Sequence, residues 1–280
     1  MIGEKFFPSP KPKKQGIPKR MRSQTITIMT GILIAAFQAT AQEVVPHNFA
    51  VWPGVELFLP FREDSRWGLF AEGYVKRVHF LKDPQGLFWR LGGSYYLKNG
   101  NRISGGLAWQ YNYPYDAAAL PYPWTDWRIW QQYMIRHVSP KNKEHAWVYR
   151  IRLEERWFGR KNDPTDEGYD YYKFETTLRL MLRSQWYIKP RVGVAVYDEV
   201  HLRVYSEERD EKIFDQNRIY AGLIYALDRD RYWRIETGYM FHSMWNAPES
   251  EPGRERINHT WRITLTGDVP LRKKLSTVRR

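Results

Sequence analysis

Between residues 172 and 188 the chain sorts its side chains by parity. The even positions Tyr172, Phe174, Leu178, Leu180, Leu182, Trp186 and Ile188 are apolar, with Thr176 and Ser184 as exceptions. The odd positions Lys173, Glu175, Thr177, Arg179, Arg183 and Gln185 are polar, with Met181 among them. Side chains alternate across a strand and not along a helix, so this period of two predicts a strand with one apolar and one polar face. The same alternation sets Ile103, Leu107, Trp109 and Tyr111 against Arg102, Ser104, Ala108 and Gln110. It also sets Trp147, Tyr149, Ile151 and Leu153 against Arg150, Arg152 and Glu154, and Ile257, Trp261, Ile263 and Leu265 against Asn258, Thr260, Arg262 and Thr264.

Strand-like segments fall near 48–61, 66–79, 86–98, 101–113, 124–138, 144–158, 171–188, 190–204, 213–228, 231–245 and 256–268. They run on the order of a dozen residues, twice the usual strand and the length that a tilted membrane-crossing strand requires. Their connections alternate between short (62–65, 99–100, 139–143, 189–190, 228–230) and longer (80–85, 114–123, 159–170, 205–212, 246–255). Asn99-Gly100 is itself a hairpin signal. The pattern predicts an all-β, antiparallel, up-and-down transmembrane β-barrel. Bacterial single-chain barrels have even strand counts, so about 12 strands are expected, the extra one near 43–55 where Pro46 and Pro53 blur the pattern. Ten is the alternative, with one segment outside the wall.

Composition changes this picture little. A mean hydropathy of -0.65 and 27% charged residues resemble a soluble protein, yet half of every barrel strand faces a polar interior and dilutes the other half. Aromatic residues make up 16% of the chain, with 13 Trp and 19 Tyr. Trp67, Trp89, Trp109, Trp127, Trp147, Trp157, Trp186, Trp233 and Trp245 are candidates for aromatic girdles at the membrane interfaces, where an amphipathic ring is favoured. Tyr111, Tyr113, Trp124 and Tyr187 also lie near segment ends.

The first 42 residues read differently. Lys11, Lys13, Lys14, Lys19, Arg20 and Arg22 precede an apolar run over 26–37, and Ala39-Thr40-Ala41 has the small-x-small form of a cleavage site. That run is too short for a membrane anchor and fits a cleaved export signal, with Met1 and Met21 as alternative starts. Residues 43–280 are expected to form a single barrel domain. The leader holds seven of the 44 basic and one of the 31 acidic residues, so the net charge falls from +13 to +7 for the remainder, 37 basic against 30 acidic. The remaining charges of both signs are interleaved, which gives nucleic-acid binding no support. Without Cys, disulfides, thiol nucleophiles and Cys-ligated metals are excluded.

An ordered series of short elements carries a family resemblance. Arg150 to Arg156 reads RIRLEER, followed by Tyr197-Asp198-Glu199-Val200, then FDQNRIYAGL from Phe214 to Leu223, Glu236-Thr237-Gly238-Tyr239-Met240, and Asn258. In this series the chain resembles family 2490 of the domains of unknown function (DUF 2490), over roughly residues 48–268. The resemblance implies a bacterial outer-membrane β-barrel and no established activity. It implies outer-membrane lipid as surroundings and the barrel-assembly machinery as a partner during insertion; the oligomeric state is left open.

Chemistry, if there is any, is expected on the inward polar face. Arg128, Arg136, Arg150, Arg152, Glu154, Arg156, Glu175, Arg179, Arg183, Glu199, Arg218, Arg234, Glu236 and Arg262 are the lumen-lining candidates. Desolvated charges must be paired to be tolerated, so the set forms either a salt-bridged plug, the expected arrangement, or the lining of a narrow, Arg-rich channel that would favour anions. A non-enzymatic role is expected: structural, interaction or channel. The alternative is a lipid-modifying enzyme of the esterase or deacylase type. His242-Ser243 are adjacent and point to opposite faces of a strand, and His201 beside Glu199 lacks a nucleophile. No cofactor and no metal is implied, since no Gly-x-Ser-x-Gly, His-Glu-x-x-His, P-loop or dinucleotide fingerprint occurs.

Overall fold

The computed structural model describes residues 44–115, 120–207, 213–245 and 255–272. The expected signal segment, 1–42, lies outside the described residues. Eleven strands follow one another: β1 (Val44–Pro60), β2 (Trp67–Val78), β3 (Asp83–Tyr96), β4 (Arg102–Asn112), β5 (Trp124–Val138), β6 (His145–Arg160), β7 (Tyr171–Tyr187), β8 (Val192–Ser206), β9 (Phe214–Ala226), β10 (Trp233–Met244) and β11 (Glu255–Asp268). Each pairs antiparallel with its sequence neighbours, and the sheet closes on itself as a barrel.

The count lies within the expected range of ten to twelve, and an odd number has a geometric consequence. When direction alternates, the first and last of eleven strands run the same way and must close in parallel. β1 and β11 do so, with Val51 opposite Trp261 and Val55 opposite Leu265. The segment that Pro46 and Pro53 blur is therefore the closing strand. Pairing of β1 with β2 is interrupted at Trp52 and Pro53, where proline has no N–H to donate.

One rim carries the connections 61–66, 97–101, 139–144, 188–191 and 227–232, and the opposite rim carries 79–82, 113–123, 161–170, 207–213 and 245–254. The two are called the turn rim and the loop rim below. The longer connection expected near 80–85 is instead a tight turn, because β3 begins at Asp83. His79, Phe80 and Leu81 have φ of 49°, 53° and 72°, conformations that cost a side-chain-bearing residue energy. Arg77 helps to hold that turn, donating to the carbonyls of Leu81 at 3.1 Å and Lys82 at 2.7 Å.

The expected parity holds in β7. Lys173, Glu175, Thr177, Arg179 and Met181 are buried inside the barrel, whereas Tyr172, Leu180 and Trp186 are exposed on its outer surface. The outer face carries an apolar band around the wall, including Val55, Leu69, Leu91, Leu107, Ile129, Ile151, Leu180, Val196, Leu223 and Ile263, all exposed. The interior is close-packed on one side through glycine. Gly92 pairs with Gly106, and Gly106 with Trp130. The indole of Trp130, fully buried, occupies the space a Cβ on Gly92 would need, at 2.8 Å.

Candidate functional site in the barrel interior

The strands that carry charge on their inward parity converge on Glu154 of β6. Its carboxylate accepts from Arg128 Nη1 at 2.9 Å and Arg179 Nη1 at 2.9 Å, and is bonded by Arg90 Nη2; Arg152 Nη1 stands 3.8 Å away. Four guanidiniums thus surround one carboxylate, and Arg90, Arg152 and Glu154 are each 1% exposed. Arg90 continues to Glu72 on β2. Arg179 continues to Glu199, donating from Nε at 3.1 Å and from Nη2 at 2.9 Å, and Arg150 adds a bond to the same carboxylate at 2.6 Å.

Two further groups extend this scaffold toward the loop rim. Asp126 accepts from Arg128 at 2.5 Å and Arg156 at 2.7 Å, and Glu175 receives Arg203 at 2.8 Å and Arg156 at 3.5 Å. Arg183 on β7 reaches across to Glu236 on β10 with bonds of 3.0 and 2.5 Å, and Arg262 on β11 bonds the hydroxyls of Tyr197 and Tyr74. Fixed ion pairs of this kind tie walls that are far apart in the strand order. Their net worth is small against an apolar filling, but stranding either partner is costly.

Beside the scaffold runs a cavity of about 690 Å³. It is bordered near the loop rim by Tyr113, Tyr115, Pro121 and Trp124, and near the turn rim by Arg136, Arg234 and Asp268. All the lumen candidates border it except Arg152 and Glu154, which are sealed within the salt-bridged network. Arg136 and Arg234 also border a recess of about 360 Å³ at the turn rim. The interior is therefore both paired and hollow, where the sequence suggested a choice between the two.

Sequence reasoning missed Glu72, Arg90, Asp126 and Lys76. Asp126 and Arg128 share a face two positions apart, a signal that was available. Glu72 and Arg90 are isolated charges among inward Phe70, Tyr74 and Phe88, so their strands do not look polar inside.

The girdle candidates fall into register on the outside of the barrel. Trp89, Trp109, Trp127 and Trp157 are consecutive cross-strand partners, and Phe174 follows Trp157. Neighbouring rings lie 6.4 Å apart for Trp89 and Trp109 and 6.2 Å for Trp109 and Trp127. Trp245 packs on Phe214 at 5.5 Å, also near the loop rim. Toward the turn rim, Trp67 packs on Tyr95 at 4.8 Å, with Trp147, Trp186 and Trp233 at strand ends of that side. Trp124, Tyr113 and Tyr187 correct the expectation: the first two border the cavity, and Tyr187 is buried on the inward parity of β7 beneath Arg231.

Of the catalytic candidates, His242 borders the cavity and Ser243 does not, and His201 Nε2 lies 3.5 Å from Glu199. The fold does join a pair that sequence separates by 39 positions: His145 Nε2 and Ser184 Oγ, at 2.9 Å beside Trp147 and Trp186. No carboxylate is bonded to the other His145 ring nitrogen among the described residues. Nor, among them, does any group of three or more His, Asp or Glu side chains gather to hold a metal ion.

No curated protein and no solved structure matches the chain. A family match runs from residue 49 to residue 251, from within β1 past the end of β10. The chain therefore belongs to the family described as protein of unknown function (DUF2490).

Proposed function

We propose that the protein is a non-enzymatic, integral β-barrel of the bacterial outer membrane, exported by its leader, with a narrow anion-preferring passage beside a salt-bridged wall. The observation that carries the membrane assignment is the inversion of polarity. Exposed Leu, Ile and Val girdle the outside between two groups of Trp and Tyr, while Arg, Glu and Asp fill the inside. A water-soluble protein does not expose a continuous apolar belt of that extent, whereas a bilayer requires one, and closure leaves no unpaired strand edge in lipid.

The passage is supported by the lining of the cavity at both rims and by the excess of Arg over acidic groups along it. Coulomb attraction then favours anions. Outer-membrane lipid surrounds such a barrel, and the barrel-assembly machinery would insert it. Planar-bilayer recording of the purified protein under a KCl gradient tests the passage. Small unitary conductances with a reversal potential displaced toward chloride are expected; a bilayer that stays silent at high protein occupancy would refute it.

The lipid-modifying reading has one observation behind it, the His145–Ser184 contact on the outer surface. A hydrolase there would use Ser184 as nucleophile, but a His without an orienting carboxylate is a weak base partner. Acyl-ester hydrolysis abolished by Ser184→Ala would favour that reading over the one proposed here.

A further inference from the structure

In the loop-rim half of the cavity, three basic side chains gather around one indole. Lys76 Nζ lies 4.6 Å from the Trp52 ring centroid, the Arg218 guanidinium 5.8 Å, and the His242 ring 6.0 Å edge-on. His242 and Arg218 are direct cross-strand partners, and both bond the Gln216 side-chain oxygen at 3.0 Å. All of these residues border the cavity.

Negative charge is scarce here. Among the described residues Lys76 makes no ion pair, and its only contacts of note are the faces of Trp52 and Phe88. Arg218 reaches no carboxylate closer than Glu199 at 3.9 Å, which is already committed to Arg150 and Arg179. His242, 4% exposed, is held by its Nε2 bond to Gln216 and brings no negative charge to the cluster. Around Glu154, by contrast, the buried guanidiniums enclose a carboxylate. This cluster encloses space.

We propose that Lys76 and Arg218, beside Trp52 and His242, form a binding site for a small oxyanion, the phosphate or carboxylate head of a solute entering from the loop rim. The cations supply charge-assisted donors, and Trp52 excludes water from one side of the bound group. The mouth favours such a solute, since Arg160, Lys173, Arg203 and Arg256 outnumber Glu175 and Asp215 at the same end of the cavity, and this net positive charge raises the local anion concentration. This proposal rests on the interior being open to solvent at the loop rim. It does not require the passage to continue to the other side.

Titration calorimetry of the full chain in detergent, with inorganic phosphate and separately with acetate, tests it. Saturable binding of either at millimolar concentration is expected, and the stronger of the two identifies the head group. Lys76→Gln should weaken binding about tenfold, the loss of one charge-assisted bond, while Lys76→Arg should restore much of it. Heat-dependent gel mobility verifies that each variant is folded. If Lys76→Gln does not fold, acylation of Lys76 by acetic anhydride in the wild-type chain replaces it: saturating phosphate should protect that lysine. No binding of either anion, equal binding by both folded variants, or no protection would overturn the proposal. Anion binding in a protein that conducts no ions would refute the passage and leave this site standing.

Discussion

Arg179 holds Glu154 at 2.9 Å through one terminal nitrogen and Glu199 at 2.9 Å through the other. One guanidinium on β7 therefore joins a carboxylate on β6 to one on β8, and the centre of the barrel is assembled on that fork. Its geometry suits Arg better than Lys, because a guanidinium spreads five donors over a rigid planar fork that spans both carboxylates, whereas an ammonium is a compact point charge.

Arg179→Ala leaves Glu154 bonded by Arg90 and Arg128 and Glu199 bonded by Arg150, but removes the charge-assisted bonds that join the two carboxylates, and should destabilise the barrel by about 1.5–3 kcal/mol. Denaturant unfolding in detergent or lipid measures this. A loss below about 1 kcal/mol would mean that water already solvates the two carboxylates. Arg179→Lys should recover only part of the loss.

Outer and inner faces should respond oppositely to added charge. Leu180→Arg places a cation on the apolar belt and should cost about 2–4 kcal/mol in a bilayer if that site lies near its midplane. Gln185→Arg points into the cavity near the turn rim and should be tolerated. Equal losses in vesicle-reconstituted protein would show that the two faces do not see different solvents.

The glycine pair under Trp130 should be intolerant. Gly92→Leu drives a side chain into the backbone oxygen of Gly105, 2.2 Å from where the Cβ would sit, and into the buried indole. Overpacking of this kind costs typically 1–3 kcal/mol, more where backbone must move. Trp130→Ala should relieve the clash in part, so the double variant should be more stable than the two separate losses predict, which a double-mutant cycle reads directly.

Trp89, Trp109, Trp127 and Trp157 stand in one cross-strand row, and because barrel strands tilt by about 35–45° the row should climb through a membrane in even steps of about 3 Å. Variants that keep one of these four at a time, the others of the row being replaced by Phe, should lose fluorescence to a headgroup-located quencher in a graded series that follows the row. Quenching that varies without order along the row would contradict this placement.

Much of this fold was legible because β7 and β11 separate their faces cleanly, as Leu180 against Arg179 and Trp261 against Arg262 illustrate. β1 to β3 were harder, since Trp52, Phe58, Phe70, Tyr74 and Phe88 point inward among Glu56, Glu72 and Arg90, and both faces therefore look apolar. Parity gives the face of a residue and not its neighbours. Thr177, on its polar face, looks permissive to substitution by that criterion, yet it is fully buried and bonded to Glu175 at 2.9 Å. Nor does parity give register, so the four Arg around Glu154 and the cluster around Trp52 emerge only when strands distant in sequence are closed into one wall. The parallel seam between β1 and β11 follows from an odd count, which a rule of even numbers conceals.

Expressed from the full chain in a bacterium with an outer membrane, the protein is expected in the outer-membrane fraction, extractable only by detergent, and faster on a gel before boiling than after it, because a closed sheet has no edge at which detergent can begin to unfold it. Recovery as a monomer in the soluble periplasmic fraction, with the same mobility before and after heating, would contradict the membrane assignment.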